Sequence, residues 1–180
     1  TQPGDLVVTQ GTGGVSLFAL QFAKLAGATA AITSSSDEKL ARAKTLGADI
    51  LVNYREHPEW YREVRSRAGG RGADLVVELG GEKSLDQSLR AVRVSGTVAL
   101  IGVLSGGVAP LNLGRIVTRN VRLQGVTLGN RDMFEAMVRA IERHHLKPVI
   151  DEHRFAFDET RAAIAAIAEG RHFGKIVVEF

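Results

Sequence analysis

Cysteine is absent from the 180 residues, which excludes a disulfide framework and any thiolate metal site. No apolar run is long enough to span a bilayer, and no signal-peptide pattern opens the chain. Excess charge of one sign is missing too. The formal net charge is only +3, and the arginines are spread along the chain rather than gathered in one block. That distribution reads as a solvated surface and speaks against a nucleic-acid groove. The five histidines show no H-E-x-x-H or other ligand spacing, so no metal is expected in this chain. Neither a G-x-S-x-G elbow nor a serine–histidine constellation suggests hydrolysis. The sequence also begins without methionine, at Thr1-Gln2-Pro3-Gly4, and a fragment or processed chain is expected. These absences suit a cytoplasmic protein without membrane contact.

What is present suffices for a core. Hydrophobic residues make up 44% and charged residues 24% of the chain, ordinary for a globular domain. A length of 180 residues allows one domain or a domain with an appendage.

The most informative stretch runs from Asp5 to Ala28. Leu6-Val7-Val8-Thr9 is a short apolar run rich in β-branched side chains, as expected of a strand buried on both faces. A glycine turn follows at Gly11, Gly13 and Gly14. Val15, Phe18, Ala19, Phe22, Ala23 and Ala26 then recur at helical spacing, and Gly27 supplies the left-handed residue that closes the helix. A helix start leaves backbone N–H groups without partners and carries roughly half a positive charge. Glycines there let a phosphate approach the main chain, and a diphosphate is the natural occupant. The motif, Gly11-Thr12-Gly13-Gly14-Val15-Ser16, reads G-x-G-x-x-S. Its final serine replaces a glycine that serves helix–strand packing and leaves the phosphate site untouched.

The alternation continues. Strands are expected at 29–33, 49–53, 73–79 and 96–102. Ser35 with Glu38 forms a capping-box pattern for the second helix, and Pro58 suits the first residue of the third, with Trp60, Val64 and Ala68 on one side. Leu85, Leu89 and Val92 point inward from the fourth helix. Asn112 caps a short helix to Thr118, and Val121 to Val126 alternates apolar and polar residues as an edge strand would. Asn130 caps a helix carrying Phe134, Met137, Val138 and Ile141. The chain closes with a strand at 153–157, an alanine-rich helix from Asp158 to Gly170, and a strand at 175–180. Strands alternating with helices predict an α/β Rossmann fold: a doubly wound parallel six-stranded sheet of order 3-2-1-4-5-6, plus a C-terminal strand–helix–strand extension. Glu78, inside the fourth strand, is expected to be hydrogen-bonded structure rather than a catalytic acid. His144 and His145 close a helix, where a cation complements the dipole.

Several stretches together, PGDLVVTQGTGGVSLFALQFAKLAGA, EKLARAKTLGAD, VVELGG, VSGTVALIGV and EGRHFGKIVVEF, resemble the nucleotide-binding domain of the medium-chain dehydrogenase/reductase family. The likeness is to the zinc-type alcohol dehydrogenase and quinone oxidoreductase branch, and it covers nearly the whole chain. It implies a dinucleotide-binding unit over 1–130 and, over 131–180, helices and strands leading back to a catalytic domain. That domain, with its substrate site and zinc ligands, falls outside this chain, so no catalytic residue is assigned. The resemblance places Gly11, Thr12, Gly13, Gly14 and Val15 at the diphosphate. Leu79-Gly80-Gly81 and Ile101-Gly102-Val103 fall on segments lining the ribose and nicotinamide, although any strand ending in glycine would look the same. It further implies a small-molecule substrate, hydride transfer to or from a carbonyl, alcohol or activated alkene, and a homodimer through the 121–126 strand.

Cofactor choice turns on the end of the second strand, where an NAD site places an acid for the ribose hydroxyls. Counting back from Lys39, which resembles the family's lysine near the ribose, that position is Ser34. Ser34 and Ser35 cannot repel a 2′-phosphate, Lys39 adds opposite charge, and Tyr54 can stack on adenine or reach the phosphate. The expectation is NADP, with NAD second. The competing possibility is that these serines only cap the next helix and Asp37 or Glu38 supplies the acid. Two other classes stay open: a non-catalytic nucleotide-sensing or structural module, and a methyltransferase, which would want an acid where Ser34 stands.

Overall fold

Six parallel strands carry the structure, a computed structural model describing residues 1–180. They are β1 (Leu6–Gln10), β2 (Thr29–Ser34), β3 (Ile50–Asn53), β4 (Ala73–Glu78), β5 (Val92–Leu100) and β6 (Arg122–Gly125), in the order β3-β2-β1-β4-β5-β6. Helices α1 (Gly14–Leu25), α2 (Asp37–Thr45), α3 (Trp60–Arg67), α4 (Leu85–Ala91) and α5 (Leu113–Thr118) join them. This is the doubly wound arrangement expected, with its order reversing between β1 and β4.

Both faces are dry. Successive strand side chains point to opposite sides, so Val8 and Val76 join Val52, Val64, Leu89 and Val98 in one core. Val7 and Val77 join Leu17, Leu20, Ile32 and Ala43 in the other. Two covered faces explain why these strands read as continuous apolar runs. Truncating a fully buried side chain such as Leu20 would cost roughly 2–5 kcal/mol.

Local details depart from expectation at identifiable points. The buried face of α1 is Ser16, Leu17, Leu20 and Ala23; of the expected stripe of Val15, Phe18, Ala19, Phe22, Ala23 and Ala26, only Ala23 belongs to it. The two stripes adjoin on the helix, and the sheet packs on the one that carries Leu17 and Leu20. Phe18 and Phe22 instead stack on each other, half-buried, with centroids 6.1 Å apart. Ser36, not Ser35, caps α2, accepting from Lys39 N–H at 3.3 Å, because the chain stays extended one residue further. Pro58 lies before α3, which opens at Trp60. Val92 is buried as the first residue of β5, which bends at Ser95 (φ 56°) before the main ladder pairs Leu75 with Thr97. Asn112 and Asn130 cap as expected, accepting from Arg115 N–H and Met133 N–H.

Past the sheet come α6 (Arg131–Arg143), β7 (Ile150–Ala156), a single 3-10 turn, α7 (Thr160–Glu169) and β8 (Lys175–Glu179). Strand β7 starts three residues before the expected His153. It pairs in parallel with β8 as a separate two-stranded sheet. The link to the main body is short and specific: Gly13 bridges Gly174, whose N–H donates to Thr12 O at 3.0 Å. No helix is long and apolar enough to cross a membrane.

Candidate functional site

The site begins with the turn between β1 and α1. Gly11 holds φ 73°, a conformation that an L side chain resists. Gly13 is the N-cap, and the first intrahelical bond runs from Leu17 N–H to Gly13 O at 3.0 Å. The amides of Gly14, Val15 and Ser16 therefore lack intrahelical acceptors. A Cβ on Gly13 would meet only His172 Nε2, at 3.9 Å, so the main chain there is open to an approaching group. Thr12 is buried, while Val15 is exposed. Ser16, standing for the motif's last glycine, is fully buried, and its Oγ donates to Gln10 O at 2.5 Å. The serine thus ties the helix start to the end of its strand.

Beside this turn, at the carboxyl ends of β1 and β4, lies a polar lock. Glu78 is fully buried, as its role in structure requires. It accepts from Gln10 Nε2 (2.7 Å), Gly80 N–H (2.8 Å) and Gly81 N–H (2.9 Å), and from the hydroxyls of Ser84 and Ser88. Five donors satisfy its charge, which meets the condition for burying a carboxylate. Gln10 also accepts from Leu79 N–H at 3.2 Å. The lock fixes Leu79-Gly80-Gly81 against the turn after β5. A Cβ on Gly102 would stand 2.6 Å from Leu79 O, and one on Gly81 2.9 Å from Val103 Cα. The two segments therefore form one surface, on which Val103 is exposed and Ile101 is at its border.

A cleft of about 470 Å³ opens over the switch between β1 and β4 and gathers Gly11, Tyr54, Leu79 and Gly80. Tyr54 is 41% exposed there. Its N–H donates to Ser34 O at 3.0 Å, and Ser34 pairs with Asn53 in the ladder, so the ends of β2 and β3 meet at this edge. Ser34 is buried, and its Oγ accepts from Ser36 N–H at 3.4 Å. Ser35 is half-buried beside it. Asp37, the competing acid, is taken up by Asn53 Nδ2 at 2.9 Å. Neither Ser34 and Ser35 nor Lys39 is among the residues that line this cleft. The Lys39 ammonium donates to Gly170 O (2.7 Å) and His172 O (3.0 Å), and burial holds its pKa below the ordinary value.

A second concavity of similar size, about 490 Å³, lies between α7 and the β7–β8 pair and includes Asp151, His153 and His172. It is set apart from the switch-point cleft, sharing no lining residue with it.

Lys175 also reaches this turn. Its side chain lies over Gly14, with Cε and Cδ nearest and the ammonium 2.9 Å from where a Gly14 Cβ would stand, which brings a cation beside the start of α1. Nothing in local spacing announces this, since α1 and β8 are separated by almost the whole chain. The only sequence signal was Gly174 just before Lys175 at the start of an apolar strand.

Residues 14–143 match the family described as zinc-binding dehydrogenase. A zinc-type alcohol dehydrogenase-like protein of Schizosaccharomyces pombe is 43% identical over 183 residues, covering 99% of this chain and 52% of that protein. Among solved structures, an NAD-dependent alcohol dehydrogenase superposes with TM-score 0.92 at 36% identity, over 99% of this chain and 52% of the other. A mycobacterial protein complexed with NADPH superposes with TM-score 0.86 at 27% identity, over 99% and 58%. The chain thus spans about half the length of the relatives it matches.

Proposed function

The chain belongs to the zinc-binding dehydrogenase family, and we propose that it is the NADP(H)-binding domain of an oxidoreductase acting on a small molecule. The reaction is hydride transfer between the nicotinamide and a carbonyl or alcohol, or an activated alkene. The observation that carries this reading is the glycine turn at the start of α1, open at Gly13, with the Lys175 side chain lying over Gly14 and its ammonium beside it. Free amides, the positive end of a twelve-residue helix and Lys175 together suit a diphosphate.

The bound nicotinamide supplies the hydride chemistry; this chain's residues hold and orient it. Gly13 and Gly14 offer backbone amides to the diphosphate, and Lys175 neutralises its charge. Tyr54 covers the adenosine side of the cleft. The surface formed by Leu79-Gly80-Gly81 and Ile101-Gly102-Val103 carries the ribose and the nicotinamide face, with Glu78 fixing it from below. Ser34, which brings no negative charge to the end of β2, favours the 2′-phosphate of NADP over NAD. Lys39 contributes to that preference by charge at longer range. Residues 1–130 form the binding unit. Residues 131–180 lead toward a substrate domain, and the groups that polarise the substrate belong to that domain. Strand β6 forms the edge of a homodimer.

Calorimetric titration with NADPH and NADH tests the reading. Binding of NADPH ahead of NADH supports it. A flat titration with both would favour a module that keeps the fold without the cofactor.

A further inference from the structure

We propose that His172 is a diphosphate-binding residue, its Nε2–H donating to a phosphoryl oxygen seated over Gly13. The inference rests on the dinucleotide reading and adds a residue to it.

His172 belongs to a short segment whose backbone is pinned on all sides. Lys39 holds Gly170 O and His172 O. Asp151 Oδ2 accepts from Phe173 N–H at 2.7 Å. Gly174 N–H reaches Thr12 O, and Lys175 N–H reaches Val149 O at 2.9 Å. Within this fixed segment Phe173 enters the core and Arg171 pairs with Glu169, while His172 is turned toward Gly13. His172 Nε2 stands 3.9 Å from the position of a Gly13 Cβ, so a phosphoryl oxygen seated over Gly13 comes within its reach.

The imidazole's other nitrogen decides which one donates. His172 Nδ1 is sealed from solvent and has no hydrogen-bond partner. Asp151, which lines the same concavity, gives its oxygens to the N–H groups of His153 and Phe173. A buried N–H with no acceptor is rarer and costlier than an acceptor left bare. The neutral ring therefore keeps its proton on Nε2, facing the turn. That nitrogen is a donor in either charge state, and Lys175 sits on the neighbouring glycine. The two side chains flank the turn, one over Gly13 and the other over Gly14.

The test combines calorimetry with phosphorus NMR on the full 180-residue chain, using NADPH as probe. His172→Leu should weaken NADPH about tenfold, the loss expected of one hydrogen bond to an anionic group. His172→Gln, whose amide nitrogen falls near the Nε2 position, should recover most of it. The diphosphate resonances of bound NADPH should differ between wild type and His172→Leu while the 2′-phosphate resonance stays put. Unchanged affinity in His172→Leu overturns the assignment. So does a loss that His172→Gln fails to restore, or one in which the 2′-phosphate resonance moves as well, since both mark a general disturbance. Failure of the wild-type chain to bind either NADPH or NADH removes the dinucleotide reading itself, and this assignment with it.

Discussion

The Gln10 carboxamide donates to the Glu78 carboxylate at 2.7 Å, joining the ends of β1 and β4 where the strand order reverses. The Gly80 and Gly81 amides after β4 bond to the same carboxylate, so the turns on both sides of the switch meet at Glu78. Replacing Glu78 by alanine removes the acceptor of Ser84, Ser88 and the Gly81 amide, and one of two acceptors of Gln10 and the Gly80 amide. The cost should be on the order of 3 kcal/mol, read as a lower urea midpoint at unchanged slope.

Gly13→Val should abolish dinucleotide binding and leave the fold intact. The backbone there (φ −79°, ψ 177°) is open to any residue, and its Cβ would meet nothing nearer than 3.9 Å. The added side chain occupies the approach of the phosphate instead. Calorimetry with NADPH should show at least a tenfold loss, while circular dichroism and the melting temperature stay near wild type.

Ser34→Asp should reverse cofactor preference. A carboxylate at the end of β2 repels a 2′-phosphate and accepts from a free ribose diol. The ratio of NADPH to NADH dissociation constants should move by about tenfold or more toward NADH.

Asp74 sets an acid limit to stability. Its carboxylate is 5% exposed and bonds Arg93 (2.5 Å), Arg71 (2.6 Å) and the Leu6 N–H (2.8 Å). Burial pushes its pKa up, but these three partners outweigh it and hold the group below its ordinary 3.8. The unfolded chain therefore takes up the proton first. The stabilisation is complete above pH 3.8 and is lost as pH falls through the lower folded value. Asp74→Asn should lower stability at neutral pH by about 2 kcal/mol and flatten the acid limb of a pH–denaturation series.

Val126→Lys, at the end of β6, should shift the chain toward monomer in light scattering. Val126 is 41% exposed, and Val117 and Leu128 are also exposed; apolar edges of this kind pair with another chain. An unchanged mass in the variant would place any dimer contact elsewhere.

Much of this was legible in the residues, because the signals are local. Strand runs such as Leu6-Val7-Val8-Thr9, the glycine turn, and the Asn112 and Asn130 caps are written within a few positions of where they act. The strand order followed from the alternation alone. What escaped is what depends on distant parts meeting. The choice between two adjacent apolar stripes on α1 is made by the sheet it packs on, which local spacing does not contain. Lys175 and His172 reach Gly14 and Gly13 because β8 returns to the main body, held by the Gly13–Gly174 bridge and by Phe173 in the core. Likewise Lys39 is close to the ribose position in sequence, yet in space its ammonium serves the carbonyls of Gly170 and His172.

The hydrogen bond from Gly174 to Thr12 joins positions nearly a full chain length apart. Loop-closure entropy makes such contacts the last to be rewarded during folding. The main sheet can therefore assemble before Gly174 and Lys175 dock on the glycine turn. In hydrogen exchange the Gly174 amide should open at lower free energy than amides of β1 and β4. Readiness to grip a cofactor would then lag behind formation of the core.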